Sequence, residues 1–211
     1  MREIIVVMGG SFNPPTLAHQ RLMLAAVEAM GADRGIFVPV PHAYLCIKMR
    51  RDRHPGEVLT EPVRLRMLEA MAAEDPRLLV GDLEYHRTQK GYTYETMEAL
   101  QQKYPDARLL FVAGGDKIAP IARWHRIREF LERFQILLVR RDGEEPETVL
   151  RAHPFLSQYQ DRFCIMPAPD GLEGISSSAV REKLRNGESG AEEMLHPVVW
   201  QLLQENGGVK R

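Results

Sequence analysis

An α/β fold with a doubly wound parallel sheet is the class that the sequence predicts. Short apolar runs alternate with longer segments of helical spacing along the chain. The apolar runs are continuous, which is typical of strands that are buried on both faces. Because helices alternate with such strands, right-handed crossovers should join parallel neighbours and cover both faces of the sheet.

Six apolar runs are the predicted strands: EIIVVM, GIFVPV, RLLVGDL, ARLLFVAGG, QILLVRR and DRFCIM. Five segments have helical spacing: LAHQRLMLAAVEAM, PVRLRMLEAMAA, TYETMEALQQKY, RIREFLERF and SSAVREKLRNG. The segment HPVVWQLLQENGG predicts a last helix, because Pro197 suits a first turn and Gly207 a helix end. We therefore expect a single domain over residues 1–211, with a small C-terminal helical part from about residue 175.

The stretch from Pro41 to Pro62 lacks periodicity and mixes prolines, histidines and basic residues. It predicts a long mobile loop near the ligand-binding edge of the sheet.

Composition narrows the classes of partner. Charged residues make up 27% of the 211 residues, and the formal net charge is -1, so neither nucleic acid nor a membrane surface is an expected partner. The sequence contains neither a signal-peptide core nor a membrane-spanning apolar run, which predicts a cytoplasmic protein. Cys46 and Cys164 lie far apart without a CxxC pattern, which argues against a disulfide framework or a cysteine zinc site. A homo-oligomer is compatible with the sequence.

The stretch GGSFNPPTLAH, residues 9–19, joins the first predicted strand to the first helix. Gly9 and Gly10 permit close approach of a ligand to the backbone, and Thr16 is suited to cap the helix. His19 then lies in the first helical turn, where an imidazole can donate to a phosphate held at the helix N-terminus.

Two further stretches suit nucleotide binding. In GISSSAVREKLRNG, serines begin a helix, and Arg181 follows Ser177 by one turn, so both could contact one phosphate. In FVAGGDKIAPIARWHRIREFLERF, Asp116 follows a buried strand and could accept from ribose hydroxyls, while Trp124 could stack on a planar ring.

These stretches resemble the nicotinate and nicotinamide mononucleotide adenylyltransferases of the HIGH-motif nucleotidyltransferase superfamily. GGSFNPPTLAH is similar to the motif GG(T/S)F(D/N)Px(H/T)xxH, and ISSSAVR to ISSTxIR. GYTYETMEAL and GGDKIAPIARWHRIREF match two further family motifs in the same chain order. Thr16 stands where many bacterial members have a histidine, and Ala18 where glycine is frequent. The resemblance implies a Rossmann-like sheet of the nucleotidyltransferase type.

The resemblance also implies roles for individual residues. His19, Lys48 and Arg181 would be the catalytic residues. The ATP-binding residues would be Gly9, Gly10, Ser11, Phe12, Thr16, His19, Gly115, Asp116, Ile175, Ser176, Ser177 and Arg181. The mononucleotide-binding residues would be Gly10, Ser11, Phe12, Lys48, Thr93 and Trp124.

The implied reaction is adenylyl transfer from ATP to nicotinate or nicotinamide mononucleotide. The 5′-phosphate attacks the α-phosphorus in line and needs no general base, because a phosphate monoester is already nucleophilic near neutral pH. Mg²⁺ is the expected cofactor, held mainly by ATP and water, so we expect no metal ligands from the protein. We expect the acid, nicotinate mononucleotide, to be preferred.

Two alternatives stay open at this point. A sister nucleotidyltransferase would use another phosphate monoester, such as phosphopantetheine, although Trp124 and YTYET argue against it. A nucleotide-binding regulator without catalysis is the other. An aminoacyl-tRNA synthetase would need tRNA-binding modules for which the chain has no room.

Overall fold

A sheet of six parallel strands forms the centre of the computed structural model, which describes residues 2–83, 91–141, 143 and 145–207. The strands are β1 (Ile4–Gly10), β2 (Arg34–Pro39), β3 (Leu78–Val80), β4 (Arg108–Gly114), β5 (Gln135–Arg140) and β6 (Phe163–Pro167). Their order across the sheet is β3-β2-β1-β4-β5-β6, and all neighbouring strands are parallel. The predicted doubly wound sheet is confirmed, and the order of its strands reverses between β1 and β4.

Helices cover both faces of this sheet. They are α1 (Leu17–Met30), α2 (His42–Arg51), α3 (Glu61–Ala72), α4 (Thr93–Lys103), α5 (Ile118–Ile121), α6 (Ile127–Arg133), α7 (Pro146–Ala152), α8 (Ser177–Asn186) and α9 (Pro197–Glu205). Shorter 3-10 turns occupy Gly115–Lys117, Leu156–Arg162 and Glu192–Met194. All six predicted helices are present.

The prediction of a long loop from Pro41 to Pro62 is wrong for its first half. Residues 42–51 form α2, in which Leu45 and Met49 lie one turn apart and are both buried. The helix also contains Ala43 and Ile47, which are exposed, so its apolar residues do not follow one helical face and the periodicity is not seen in the sequence. The irregular part is limited to the segment between α2 and α3.

Alternate residues of β1 point into two separate cores. Val6 packs into the face that carries α1, α3 and α9, whereas Ile5 and Val7 pack into the face that carries α4 and α6. All three are completely buried. Burial on both faces explains why this strand is continuously apolar in the sequence.

The C-terminal helical part consists of α8 and α9, and α9 packs against α3. Residues 208–211, at the end of the predicted part, lie outside the described residues. Within the described ranges, none of the helices has the length and apolar character that a membrane span requires.

Candidate active site

The loop between β1 and α1 folds inward over the carboxyl end of the sheet. Phe12 adopts a positive φ of 43° and buries its ring, which packs edge-on against Phe37 and His19 at centroid distances of 5.7 and 5.0 Å. A Cβ on Gly10 would lie 2.9 Å from the Phe12 ring. Glycine at position 10 is therefore required by the packing of Phe12.

Buried polar side chains fix this loop in place. Asn13, completely buried, donates from Nδ2 to the Glu57 carbonyl at 2.7 Å and accepts the Leu59 amide at 2.9 Å. Arg64, also completely buried, donates from Nη1 to the Ser11 carbonyl at 2.8 Å. These contacts hold the loop against α3 and the segment before it.

Thr16 and His19 form a reciprocal pair at the N-terminus of α1. Thr16 is the N-cap residue, as predicted, and its carbonyl accepts from the His19 amide at 3.0 Å. The Thr16 amide donates to His19 Nδ1 at 3.0 Å, and the Thr16 hydroxyl lies 2.7 Å from the same nitrogen. Because a backbone amide can only donate, Nδ1 carries no proton, and the neutral ring carries it on Nε2.

Burial lowers the pKa of His19 to about 4. The ring is therefore neutral at pH 7 and offers one donor, Nε2–H. Thr16 itself is completely buried, so its hydroxyl serves the imidazole.

The N-terminus of α8 lies against the same loop. Ser176 caps the helix and accepts the Ala179 amide at 3.1 Å. The Ser177 hydroxyl donates to the Pro14 carbonyl at 2.7 Å. The structure thus brings together the glycine-rich stretch and the serine-rich stretch, which are far apart in the sequence.

Arg181 is buried at this junction. Its Nη1 donates to the carbonyls of Asn13 at 2.7 Å and Ser177 at 3.1 Å, and its Nε donates to Glu57 Oε2 at 3.3 Å. Nη2 donates to the Ser178 hydroxyl at 3.2 Å. Burial lowers the pKa of Arg181, and the neighbouring Glu57 carboxylate opposes this shift.

The smaller of two cavities at the site, of about 260 Å³, lies between β1, α2 and α4. Lys48 reaches into it from α2 and donates from Nζ to the Ser11 hydroxyl at 3.2 Å. Its lining residues are Gly9, Gly10, Ser11, Val40, Tyr44, Lys48, Gly91, Thr93, Thr96 and Phe111.

Positive charge accumulates beside this cavity. Burial is the main cause that lowers the pKa of Lys48, and the positive charges of Arg181, Arg51 and Lys117 lower it further. The carboxylate of Asp52 acts in the opposite direction. Arg181 and Lys117 also have carboxylate partners, Glu57 and Asp116, but Lys48 lies among several cations, which suits a polyphosphate ligand.

The larger cavity, of about 460 Å³, lies at the carboxyl ends of β5 and β6. Its lining residues are Ala18, Leu22, Val139, Arg141, Ala168, Pro169, Asp170, Leu172, Glu173, Gly174, Ile175 and Ser176. His19 directly follows Ala18 of this cavity, and its ring contacts Phe12, which follows Ser11 of the smaller one. His19 itself is not among the residues that line either cavity.

Asp116 lies in the 3-10 turn that follows β4, where it is exposed and forms an ion pair with Lys117. Gly115, next to it, is buried. Asp116 is not among the residues that line either cavity.

Trp124 is half-buried and packs edge-on against Phe111 and Phe130, at centroid distances of 5.5 and 5.8 Å. Phe111 and Thr93 line the smaller cavity. Trp124 thus supports an aromatic wall of this cavity through Phe111.

Sequence reasoning missed Asn13, Glu57 and Arg64, which organise the site from beneath. Their partners are far away in the sequence and form no local pattern. Among the described residues there is no group of three or more His, Cys, Asp or Glu side chains that could hold a metal ion.

Comparisons with known proteins agree with this geometry. A family model described as cytidylyltransferase-like matches residues 7–183. The chain is 31% identical over 182 residues to a Carboxydothermus hydrogenoformans protein named "probable nicotinate-nucleotide adenylyltransferase", covering 86% of each chain. It is 30% identical over 209 residues to an Enterococcus faecalis protein of the same name, covering 98% of this chain and 84% of the relative.

The fold is similar to that of the Plasmodium falciparum nicotinic acid mononucleotide adenylyltransferase complexed with APC. The TM-score is 0.76 at 18% identity, and the match covers 98% of this chain and 97% of the other. Because the sequence matches extend over most of both chains, the chain belongs to the cytidylyltransferase-like family and, within it, to the nicotinate-nucleotide adenylyltransferases.

Proposed function

We propose that the protein transfers the adenylyl group of ATP to nicotinate mononucleotide, giving deamido-NAD and pyrophosphate in NAD biosynthesis. The observation that carries this proposal is the pair of cavities at the carboxyl edge of the sheet, of which one is lined by Gly10 and Ser11 and the other by Ala18, the neighbour of His19. The names of the relatives support the same reaction.

The smaller cavity suits the mononucleotide. Phe111 offers an aromatic wall for the pyridine ring, the Thr93 hydroxyl can donate to its carboxylate, and Lys48 can contact the 5′-phosphate. The larger cavity, at the ends of β5 and β6, suits adenosine, because its rim includes Ile175 and Ser176 beside the N-terminus of α8. The triphosphate would then extend across the first turn of α1 toward α8.

The reaction is an in-line displacement at the α-phosphorus. A 5′-phosphate oxygen of the mononucleotide forms the new P–O bond, and the bond to the bridging oxygen of pyrophosphate breaks. His19 Nε2–H donates to an oxygen on which charge increases, and Lys48 and Arg181 stabilise the phosphates that carry the remaining charge. Thr16 acts indirectly in this scheme, since its buried amide and hydroxyl orient the imidazole.

ATP enters as its magnesium complex, in which phosphate and water oxygens supply the metal ligands. The protein then contributes charge and orientation around the complex. The cytoplasmic location expected from the sequence stays a prediction.

A panel of phosphate monoesters tests the proposal. The protein is incubated with magnesium, ATP and, in parallel, nicotinate mononucleotide, nicotinamide mononucleotide or phosphopantetheine, and pyrophosphate release is measured. We expect the highest kcat/KM with nicotinate mononucleotide. Equal or higher kcat/KM with the amide contradicts the assigned acid preference, and release that depends on phosphopantetheine instead contradicts the proposed function.

A further inference from the structure

We propose that Glu57 is a positioning residue for adenylyl transfer: its buried carboxylate holds the Arg181 guanidinium so that Nη2 faces the phosphates of ATP. The inference rests on the proposed function. It concerns a residue in the irregular segment between α2 and α3, outside the sequence motifs that carry the family resemblance.

The hydrogen bonds of Arg181 divide its guanidinium into two edges. Nε donates to the Glu57 carboxylate, and both N–H groups of Nη1 can be assigned to the carbonyls of Asn13 and Ser177. Nη2 donates to the hydroxyl of Ser178, an exposed residue on the first turn of α8. Since the Ser178 hydroxyl can rotate away from Nη2, this nitrogen is the one best able to donate to a ligand oxygen instead.

Glu57 is itself held firmly, which allows it to orient another side chain. It is 7% exposed, and its Oε1 accepts from Arg185 Nε at 2.8 Å and lies 3.5 Å from His54 Nδ1. Its carbonyl accepts from Asn13. One residue thus joins α8, the β1–α1 loop and the segment after α2, and a shift of any of these would reach Arg181 through Glu57.

Charge makes this contact important. Burial disfavours the charged guanidinium, and Glu57 is the neighbouring carboxylate that offsets the cost. The isosteric change Glu57→Gln keeps an oxygen that could accept from Nε but removes the negative charge. The Arg181 guanidinium would then lose its electrostatic attraction to residue 57 and rotate more freely, which weakens its contact with phosphate.

Calorimetric titration of ATP, together with steady-state kinetics, tests the inference. For Glu57→Gln we expect the dissociation constant of ATP and the inhibition constant of pyrophosphate to rise about tenfold, because a charge-assisted hydrogen bond is lost. The KM for nicotinate mononucleotide should stay within about twofold, since Lys48 and Thr93 are unaffected. In an Arg181→Met background, Glu57→Gln should have no further effect on ATP binding.

Asp75→Asn is the matched control. Asp75 also binds an arginine, Arg77, at 2.6 Å, but it lies in the turn before β3, at the opposite end of the sheet. This variant should lower the melting temperature without changing ATP binding. If Glu57→Gln does not fold, Glu57→Asp, which keeps the charge but reaches less far, takes its place and should also weaken ATP binding.

Three results would overturn the inference. They are unchanged ATP binding in the folded Glu57 variant, an equal rise in the KM of the mononucleotide, and an undiminished effect of Glu57→Gln in the Arg181→Met background. The titration needs no turnover. A protein that binds ATP but transfers no adenylyl group would therefore contradict the proposed function and leave the Glu57 comparison valid.

Discussion

The Thr16 amide donates to His19 Nδ1 at 3.0 Å, and the Thr16 hydroxyl lies 2.7 Å from the same nitrogen. This pair of residues begins α1 and sets the state of the imidazole at the same time. Because Nδ1 is occupied as an acceptor and burial keeps the ring neutral, Nε2 is fixed as a donor. The residue that begins α1, Thr16, therefore also orients the proposed phosphate donor, His19.

Replacement of His19 by alanine should lower kcat on the order of 100-fold, because the donor acts most strongly where charge moves in the transition state. The KM for the mononucleotide should change much less. His153→Ala is a suitable control, since His153 accepts the amides of Phe155 and Leu156 in a turn before β6, away from the site. A His19→Ala enzyme with wild-type kcat would contradict the donor role.

Acid should destabilise the protein partly through His19. Its folded-state pKa is about 4, below the ordinary 6.5, so between these values the unfolded chain binds a proton that the folded protein does not. The stabilisation is complete above the unfolded pKa and is lost as the pH falls through the folded pKa. We expect the melting temperature to fall more steeply over this interval in the wild type than in His19→Gln. Parallel curves for the two proteins would show that His19 does not titrate in this way.

Thr16→Ala should lower stability by about 1 kcal/mol, because the buried hydroxyl is removed together with its hydrogen bond to His19 Nδ1. It should also lower kcat, because the hydroxyl beside Nδ1 is lost and the imidazole is held by the amide alone. Thr16→Ser keeps the hydroxyl and should be nearly silent in both measurements. If Thr16→Ala melts lower but turns over at the wild-type rate, Thr16 is a cap without influence on the chemistry.

Trp124→Ala should raise the KM for the mononucleotide by a factor that corresponds to about 1 kcal/mol of lost aromatic contact. The structure locates this effect at Phe111, which Trp124 supports and which lines the smaller cavity. Trp124→Phe should retain most of the wild-type value. Equal increases in KM for ATP and the mononucleotide would indicate a general loss of packing around Phe130 instead.

The elements around the site differ in how far the sequence predicts them. The predicted segment LAHQRLMLAAVEAM coincides with α1, because a Gly-Pro loop precedes it and Gly31 ends it in the left-handed conformation. β1 was predictable because a strand that is buried on both faces has a continuously apolar sequence. α2 was not, since the exposed apolar residues Ala43 and Ile47 beside its buried pair, Leu45 and Met49, obscure the helical periodicity.

The positions of the site motifs were predictable because the carboxyl ends of parallel strands meet at one edge of the sheet. The contacts beneath them were not. Glu57 and Arg181 are separated by 124 residues, and a buried ion pair over that distance has no local pattern. Asn13 stands within the stretch GGSFNPPTLAH, where nothing in the sequence indicates that its side-chain amide joins two loops.

The most direct test of the account follows the fate of the α-phosphorus. ATP labelled at this position is incubated with magnesium, nicotinate mononucleotide and the wild-type protein, with His19→Ala in parallel. The account predicts that the label enters the dinucleotide in an amount equal to the pyrophosphate released, and that this transfer is much slower in the variant. Label that stays in ATP, or leaves as free AMP while the mononucleotide is unchanged, would contradict adenylyl transfer.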